Sequence, residues 1–347
     1  DVPYRLAGYS ELRTRPNETI SFDASRDAEI RAQVQKAGNE ARLLPAGPRG
    51  SAAPRRVGLG EKLLVPILGK LSHFVKDLGI WMNTQRPEWN DANNALVGHG
   101  VSVVTTAYLA RHCETVRGLV ANSGDAPIPM SVAAAQHLRE TAAVLADDIA
   151  GTAARSLLDR LGELGTRYRA AVYSDNEATH RVVDVSVDEV LRFLERARQW
   201  LLATVVANRR DDGLVHAYNL LVFDDVGEVA ARRLPLMLEG QVAALASGAL
   251  STKEAVELLD ALAASPLRRA DLGSYLLYPD RELPAFLAKA VVGEDEIERS
   301  DVLRRLLDEG CEQVVVCDVA GVVRFAPDLH NAEGLARACQ QLALPEE

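Results

Sequence analysis

Apolar residues recur at helical spacing along most of the chain from residue 61 onward. The segment 61–79 is the clearest amphipathic case. The segment 101–109 carries almost no charge, which is typical of a helix buried on all sides. Further helices are predicted over 24–38, over 130–164 as two helices, and over 186–208, 229–247 and 251–264. The pattern therefore predicts a mainly α-helical protein.

Two of these helix starts have the spacing of a capping box, namely Ser186 with Glu189 and Ser251 with Glu254. Short extended segments interrupt the helices, and they are 170–173, 216–223, 313–318 and 322–325. The last two are close enough to predict a small hairpin. Because strands and helices do not alternate at βαβ spacing, a nucleotide-binding parallel sheet is not expected. A bundle and a closed α/α toroid both fit the pattern, whereas the lack of a fixed period disfavours a repeat solenoid.

The domain organisation follows from a change in character near residue 57. Residues 1–57 are weakly periodic, and within them the Pro- and Gly-rich segment 43–56 predicts a flexible connector. Residues 58–347 are predicted to form the helical domain. Because the chain does not begin with Met, we expect it to be part of a larger chain.

Composition and charge exclude several classes of function. The formal net charge is -10, which argues against nucleic-acid binding because that function needs a basic surface. No apolar run reaches the roughly 18 residues that a membrane span requires, so no membrane partner is expected. The four cysteines form no CxxC pair and no zinc-site spacing, so free thiols, a cytoplasmic location and no bound metal are predicted.

One segment stands out for its chemistry, the loop NTQRPEWNDANNALVGHG at 83–100. It concentrates amides, carboxylates and an aromatic side chain just before a predicted buried helix, and its candidate site residues are Arg86, Glu88, Trp89, Asn90, Asp91 and Asn94. A sugar site needs this mixture, because an aromatic face covers the C–H side of the ring while polar groups bind the hydroxyls. Glycosidic cleavage also needs a carboxylic acid. In the simpler alternative, Asp91 only caps the helix that follows.

The tripeptide Trp89-Asn90-Asp91 resembles the W-N-D motif of the cellobiose and chitobiose phosphorylases. The string MNTQRPEWNDANNALVGHG, together with segments 238–245 and 274–287, is similar to large uncharacterised bacterial proteins distantly related to them. The resemblance implies an (α/α)6 toroid and an inverting glycoside phosphorylase or hydrolase acting on an oligosaccharide. It also implies that Asp91 is the general acid, that Trp89 lines the sugar subsite, and that Asn90 orients the acid or binds a hydroxyl.

The identity of the nucleophile depends on further residues. An inverting phosphorylase uses inorganic phosphate itself, whereas an inverting hydrolase needs a second carboxylate as base, for which Glu239 is the candidate. In the simpler alternative, Glu239 is only a first-turn acid favoured by the helix dipole. Arg86 either pairs with Glu88 or Asp91 or clamps an anion such as phosphate. No cofactor other than this co-substrate is expected.

Two weaker candidates, His216 and Tyr218, lie on an extended segment that either faces a cleft or forms a half-buried strand. The phosphorylase resemblance also implies phosphate-contacting residues beyond the present C-terminus. We therefore expect the toroid and its site to be completed by a missing C-terminal part or a partner chain. Two other functions stay open, a non-catalytic carbohydrate-binding protein and a helical scaffold protein.

Overall fold

The computed structural model of the chain describes residues 4–14, 20–37, 57–82, 98–173, 177–223, 229–280, 285 and 288–342. The predicted connector, residues 43–56, lies outside this described part, and so do residues 83–97 of the polar loop. The chain divides into two compact units, Asp1–Asp280 and Arg281–Glu347. The boundary near residue 57 stays a prediction.

Helices form most of the first unit, which confirms the mainly helical class for the described residues. They are α1 (Tyr9–Thr14), α2 (Ala24–Ala37), α3 (Leu59–Leu71), α4 (Val103–Ala121), α5 (Val132–Leu145), α6 (Ala154–Tyr173), α7 (Val187–Ala207), α8 (Leu238–Ser247) and α9 (Thr252–Ala264). A 3-10 turn spans Glu177–His180. The capping box at Ser251 and Glu254 is present, with reciprocal side-chain and backbone bonds. The closed toroid stays a prediction.

The strands of the first unit are short and antiparallel. They are β1 (Tyr4–Leu6), β2 (Ile20–Phe22), β3 (Phe74–Val75), β4 (Gly79–Trp81), β5 (Gly100–Ser102), β6 (Ile128–Ser131), β7 (Val182–Val185), β8 (Tyr218–Phe223), β9 (Val229–Arg233), β10 (Arg268–Arg269) and β11 (Ser274–Tyr275). The largest sheet has five strands in the order β3-β4-β5-β8-β9. The other pairs are β1 with β2, β6 with β7, and β10 with β11.

Four of the predicted elements are wrong in their bounds. The helix predicted over 61–79 ends at Leu71, and β3 and β4 follow it from Phe74 onward. Residues 229–233 form a strand and not a helix start, because they pair with β8 in the register from Asn219↔Arg233 to Phe223↔Val229. Residues 170–173 end α6 and are not extended. Residues 101 and 102 belong to β5, so the buried helix begins only at Val103. In the sheet cases, hydrogen bonds between paired strands override local periodicity.

The main core lies among helices α3 to α7, where Leu64, Leu138 and Trp200 have no or almost no exposed surface. The Trp200 ring meets Phe74 edge to face at 6.5 Å, and its indole N–H donates to the carbonyl of Leu145 at 2.9 Å. Burial of large apolar side chains at this density is the main stabilising contribution to such a unit. The core fixes α4 against α7 and so positions the start of α4 at the five-stranded sheet.

The second unit has a core of its own. It contains α10 (Glu294–Arg299), α11 (Asp301–Asp308), β12 (Val315–Cys317), β13 (Val323–Phe325) and α12 (Ala332–Gln341). The hairpin predicted from the sequence is confirmed, since β12 and β13 pair antiparallel. Asp318 closes its turn by accepting hydrogen bonds from the backbone of Ala320 at 2.8 Å and of Val322 at 3.0 Å. Within the described residues of either unit, helices with the length and apolarity of a bilayer span are absent.

Candidate functional site

Both ends of the polar loop are fixed on the five-stranded sheet. The loop connects β4 to β5, which pair directly through Trp81↔Val101. The backbone N–H of Met82 donates to the carbonyl of Gly100 at 2.8 Å, and the Trp81 indole donates to the carbonyl of Gly98 at 2.8 Å. The candidate residues Arg86, Glu88, Trp89, Asn90, Asp91 and Asn94 lie outside the described part of the chain. The structure therefore defines the base of the loop.

The start of α4 is capped by Ser102, whose hydroxyl accepts the N–H of Thr105 at 2.9 Å. Asp91 lies outside the described residues, so the alternative in which it only caps a helix stays a prediction. Gly79 allows the sheet to approach this helix start closely. Its φ is 129°, and a Cβ there would lie 2.7 Å from the Ser102 carbonyl oxygen.

Tyr218 and Glu239, two of the candidates, are brought together by the fold. Tyr218 opens β8 opposite Ser102, and its hydroxyl donates to Oε2 of Glu239 at 3.0 Å. Burial raises the pKa of Tyr218, and the negative charge of the Glu239 carboxylate raises it further. The phenol therefore stays protonated and serves as the donor. Tyr218 and Leu220 belong to one apolar cluster, and Met82, the last described residue before the loop, packs against this cluster.

Glu239 lies in the first turn of α8. The next two residues, Gly240 and Gln241, fix that turn against the segment before β8. A Cβ on Gly240 would lie 2.8 Å from the Val215 carbonyl oxygen, so only glycine permits this approach. The buried Gln241 amide accepts the N–H of Val215 at 2.8 Å and donates to the Val215 carbonyl at 2.8 Å. The position in the first turn agrees with both interpretations of Glu239, as a base and as a dipole-favoured acid.

His216 is half-buried just before β8, and its backbone N–H donates to the Asn208 carbonyl at 3.0 Å. Burial lowers the pKa of His216, and the positive charges of Arg233 and Arg210 lower it further. Its Nδ1 atom has no hydrogen-bond partner among the described residues. His216 is thus a neutral imidazole at neutral pH.

A polar network lies beside His216 and joins the end of α7 to the sheet. The Asn219 amide donates to the carbonyl of Leu78 at 2.9 Å and to Oδ1 of Asn208 at 3.0 Å. Arg233 donates to the same Asn208 oxygen. Because Asn219 and Tyr218 are adjacent on one strand, their side chains point to opposite faces of the sheet. The network therefore supports the sheet from the face opposite Tyr218 and Glu239.

The sequence reasoning missed two residues beside Tyr218 and Glu239. Ser102 contributes a hydroxyl hydrogen bond to Tyr218. Tyr278 has 40% of its surface exposed, and its phenol raises the pKa of Tyr218. It is held there because the N–H of Leu238 donates to the carbonyl of Leu277 at 3.0 Å. Only tertiary pairing reveals both residues, since each lies in a separate segment of sequence.

Comparison with known families connects the second unit to phosphorylases. Residues 283–347 match the family model described as GH149 phosphorylase insertion domain 2. The matched range coincides with the second unit, Arg281–Glu347, almost residue for residue. The match supports a relationship to glycoside phosphorylases and so to carbohydrate metabolism. The narrower resemblance to cellobiose and chitobiose phosphorylases stays a prediction. No curated protein matches the chain significantly.

Proposed function

We propose that the chain belongs to an inverting glycoside phosphorylase that cleaves β-linked oligosaccharides with inorganic phosphate. The observation that carries the proposal is the match of the separately folded second unit to a phosphorylase insertion domain. The polar loop supplies the chemistry that such an enzyme needs. These two features come from different units of the chain, so neither depends on the other.

In the proposed site, Asp91 is the general acid that protonates the glycosidic oxygen. Trp89 covers the C–H face of a sugar ring, while Glu88, Asn90 and Asn94 bind hydroxyl groups. Arg86 pairs with a phosphate oxygen, for which the planar guanidinium is well suited. The base of the loop beside the cluster of Met82 and Tyr218 supports this arrangement.

The phosphate nucleophile distinguishes this proposal from hydrolysis. Phosphate attacks the anomeric carbon directly, so phosphorolysis requires only one protein carboxylate, whereas inverting hydrolysis requires a base roughly 6.5–9.5 Å from the acid. In the phosphorolytic proposal, Glu239 and Tyr218 bind hydroxyls of the substrate and Tyr278 provides a second aromatic surface. The hydrogen bond between Tyr218 and Glu239 supports a binding role, because it occupies one carboxylate oxygen. His216 contributes as a neutral hydrogen-bonding group.

The test is phosphate-dependent turnover by the purified full-length protein. The protein is incubated with a panel of β-linked gluco-oligosaccharides, with and without inorganic phosphate, and the release of sugar 1-phosphate is measured. NMR of the product gives its anomeric configuration, and an α-linked phosphate is expected from inversion of a β-linkage. Release of free sugar without phosphate would instead identify a hydrolase, for which Glu239 is the candidate base. Saturable binding without turnover would identify a non-catalytic carbohydrate-binding protein.

A further inference from the structure

A concavity of about 520 Å³ lies between α4 and α7, away from the sheet. Its lining residues are Arg117, Leu191, Arg192, Glu195, Arg196 and Gln199. This volume falls in the range of pockets that bind small molecules. Three arginines in one pocket are unexpected in a chain whose formal net charge is -10.

Two of the arginines have no carboxylate partner among the described residues. Within the part of the chain that the structure describes, Arg192 has no hydrogen-bond or ion-pair partner, and it is exposed. The Arg196 guanidinium donates to the carbonyl of Leu145 at 2.6 Å, to that of Asp147, and to Oε1 of Gln199 at 3.0 Å, all of which are neutral groups. Arg196 is therefore held in place with its charge intact, and Arg192 is free to bind an anion.

The remaining lining residues offer a different chemistry. Arg117 is already paired bidentately with Glu114, at 2.7 and 3.0 Å. Glu195 accepts the amide N–H of Gln199 at 3.1 Å and lies 3.9 Å from Arg117, so it retains acceptor capacity. Leu191 contributes apolar surface. The pocket therefore combines unneutralised cations with polar acceptors and donors and an apolar wall.

We propose that this pocket binds a sugar phosphate. The phosphate group pairs with Arg192 and Arg196, since arginine binds phosphate through charge-assisted hydrogen bonds. The sugar hydroxyls bind Glu195 and Gln199, and the C–H face of the ring covers Leu191. A purely anionic ligand would not use the carboxylate of Glu195, whereas a hydroxylated one does.

The pocket is distant from the base of the polar loop. The loop returns to the chain just before α4, whereas Arg117 lies near the opposite end of that helix. At about 1.5 Å of rise per residue, Arg117 is roughly 20 Å from Val103 along the helix axis. The pocket is thus a second site. A sugar phosphate is also the product of the proposed reaction. That the ligand of this pocket is the reaction product rests on the proposed function, whereas the affinity of the pocket for a sugar phosphate does not.

The experiment is isothermal titration calorimetry of the full chain with glucose 1-phosphate, inorganic phosphate and methyl glucoside. The test variant is Arg192→Gln. The matched control is Arg111→Gln, because Arg111 is an exposed residue on α4 outside the pocket. Asp91→Asn reports binding at the polar loop. We expect Arg192→Gln to weaken glucose 1-phosphate binding by roughly tenfold or more, since one charge-assisted contact is lost. Arg111→Gln should bind it as the wild type does.

Wild-type affinity in Arg192→Gln would overturn the proposal, and so would the absence of glucose 1-phosphate binding to the wild type. Equal affinity for inorganic phosphate and glucose 1-phosphate would overturn the assignment of a sugar phosphate. Binding that is lost in Asp91→Asn but kept in Arg192→Gln would place the ligand at the loop and overturn the second site. A chain with the expected binding pattern and no phosphorolysis would retain this site and refute the proposed reaction. Circular dichroism confirms that each variant is folded.

Discussion

The phenol of Tyr218 donates a hydrogen bond to Oε2 of Glu239 across 3.0 Å, and this bond joins the first residue of β8 to the first turn of α8. Tyr218 is 5% exposed. Without the Glu239 carboxylate, its buried hydroxyl would lose a charged hydrogen-bond acceptor. Met82, the last described residue before the polar loop, packs against the apolar cluster that contains Tyr218. The pair is therefore the described feature that most directly links the sheet, the helix and the loop base.

Replacing Tyr218 with Phe should lower the free energy of unfolding by about 1–2 kcal/mol, because a hydrogen bond to a charged acceptor is lost. Urea titration followed by circular dichroism measures the change. Tyr108→Phe is the control, since Tyr108 is 46% exposed and should change stability by less than about 0.5 kcal/mol. Equal stability of the two variants would show that the Tyr218 bond contributes nothing.

Replacing Gly240 with Ala should destabilise the first unit by roughly 1–3 kcal/mol, because the new methyl group would meet the Val215 carbonyl oxygen at 2.8 Å. Gly118→Ala is the matched control, since Gly118 lies inside α4 and a Cβ there meets nothing within 4 Å. That variant should gain up to about 1 kcal/mol from helix propensity. Thermal unfolding compares the two, and changes of the same sign would contradict the close approach of α8 to Val215.

The hydrophobic pattern predicted the helical class, because α7 and α9 carry both their periodicity and their cap residues within one segment. The five-stranded sheet was largely missed, since its strands are short and their stabilisation comes from partners far along the chain, as in the pairing of Ser102 with Tyr218. For the same reason the sequence singled out Tyr218 and Glu239 separately but did not predict their contact. The candidate acid Asp91 rests on its motif.

The stability of the first unit should decrease on acidification because of two buried histidines. Burial lowers the pKa of His73 to about 3 and that of His137 to about 4. In the unfolded chain both imidazoles return to a pKa of roughly 6.5, so they bind protons there at a pH where the folded state does not. The free energy of unfolding is therefore undiminished above pH ~7 and falls as the pH drops from about 6.5 toward 4.

At pH 5.5 the expected loss is about 1.4 kcal/mol for each histidine. Urea titrations between pH 7.5 and 5 measure it. His137→Gln should reduce the loss at pH 5.5 by about 1.4 kcal/mol, because the imidazole that takes up a proton on unfolding is absent. A pH profile of His137→Gln parallel to that of the wild type would contradict the buried neutral state of His137.

Replacing Asn208 with Ala should lower the free energy of unfolding by roughly 2–4 kcal/mol, because the buried amide of Asn219 and the guanidinium of Arg233 lose their shared acceptor. The control is Asn122→Ala, an exposed residue that ends α4 and whose amide donates to the Gly118 carbonyl at 2.8 Å. The control should cost less than about 1 kcal/mol. Denaturant unfolding compares both variants, and similar losses would mean that the network is not stabilising.

The central claim is that Asp91 in the sheet-based loop is the acid of a phosphorolytic site. The most direct test compares the rate of sugar 1-phosphate release by wild type, Asp91→Asn and Asp260→Asn, where Asp260 is an exposed residue of α9. We predict that Asp91→Asn lowers kcat by roughly 10²–10⁴-fold, as expected for loss of a general acid, while Asp260→Asn retains the wild-type rate. An Asp91→Asn chain that releases sugar 1-phosphate at the wild-type rate would contradict the account.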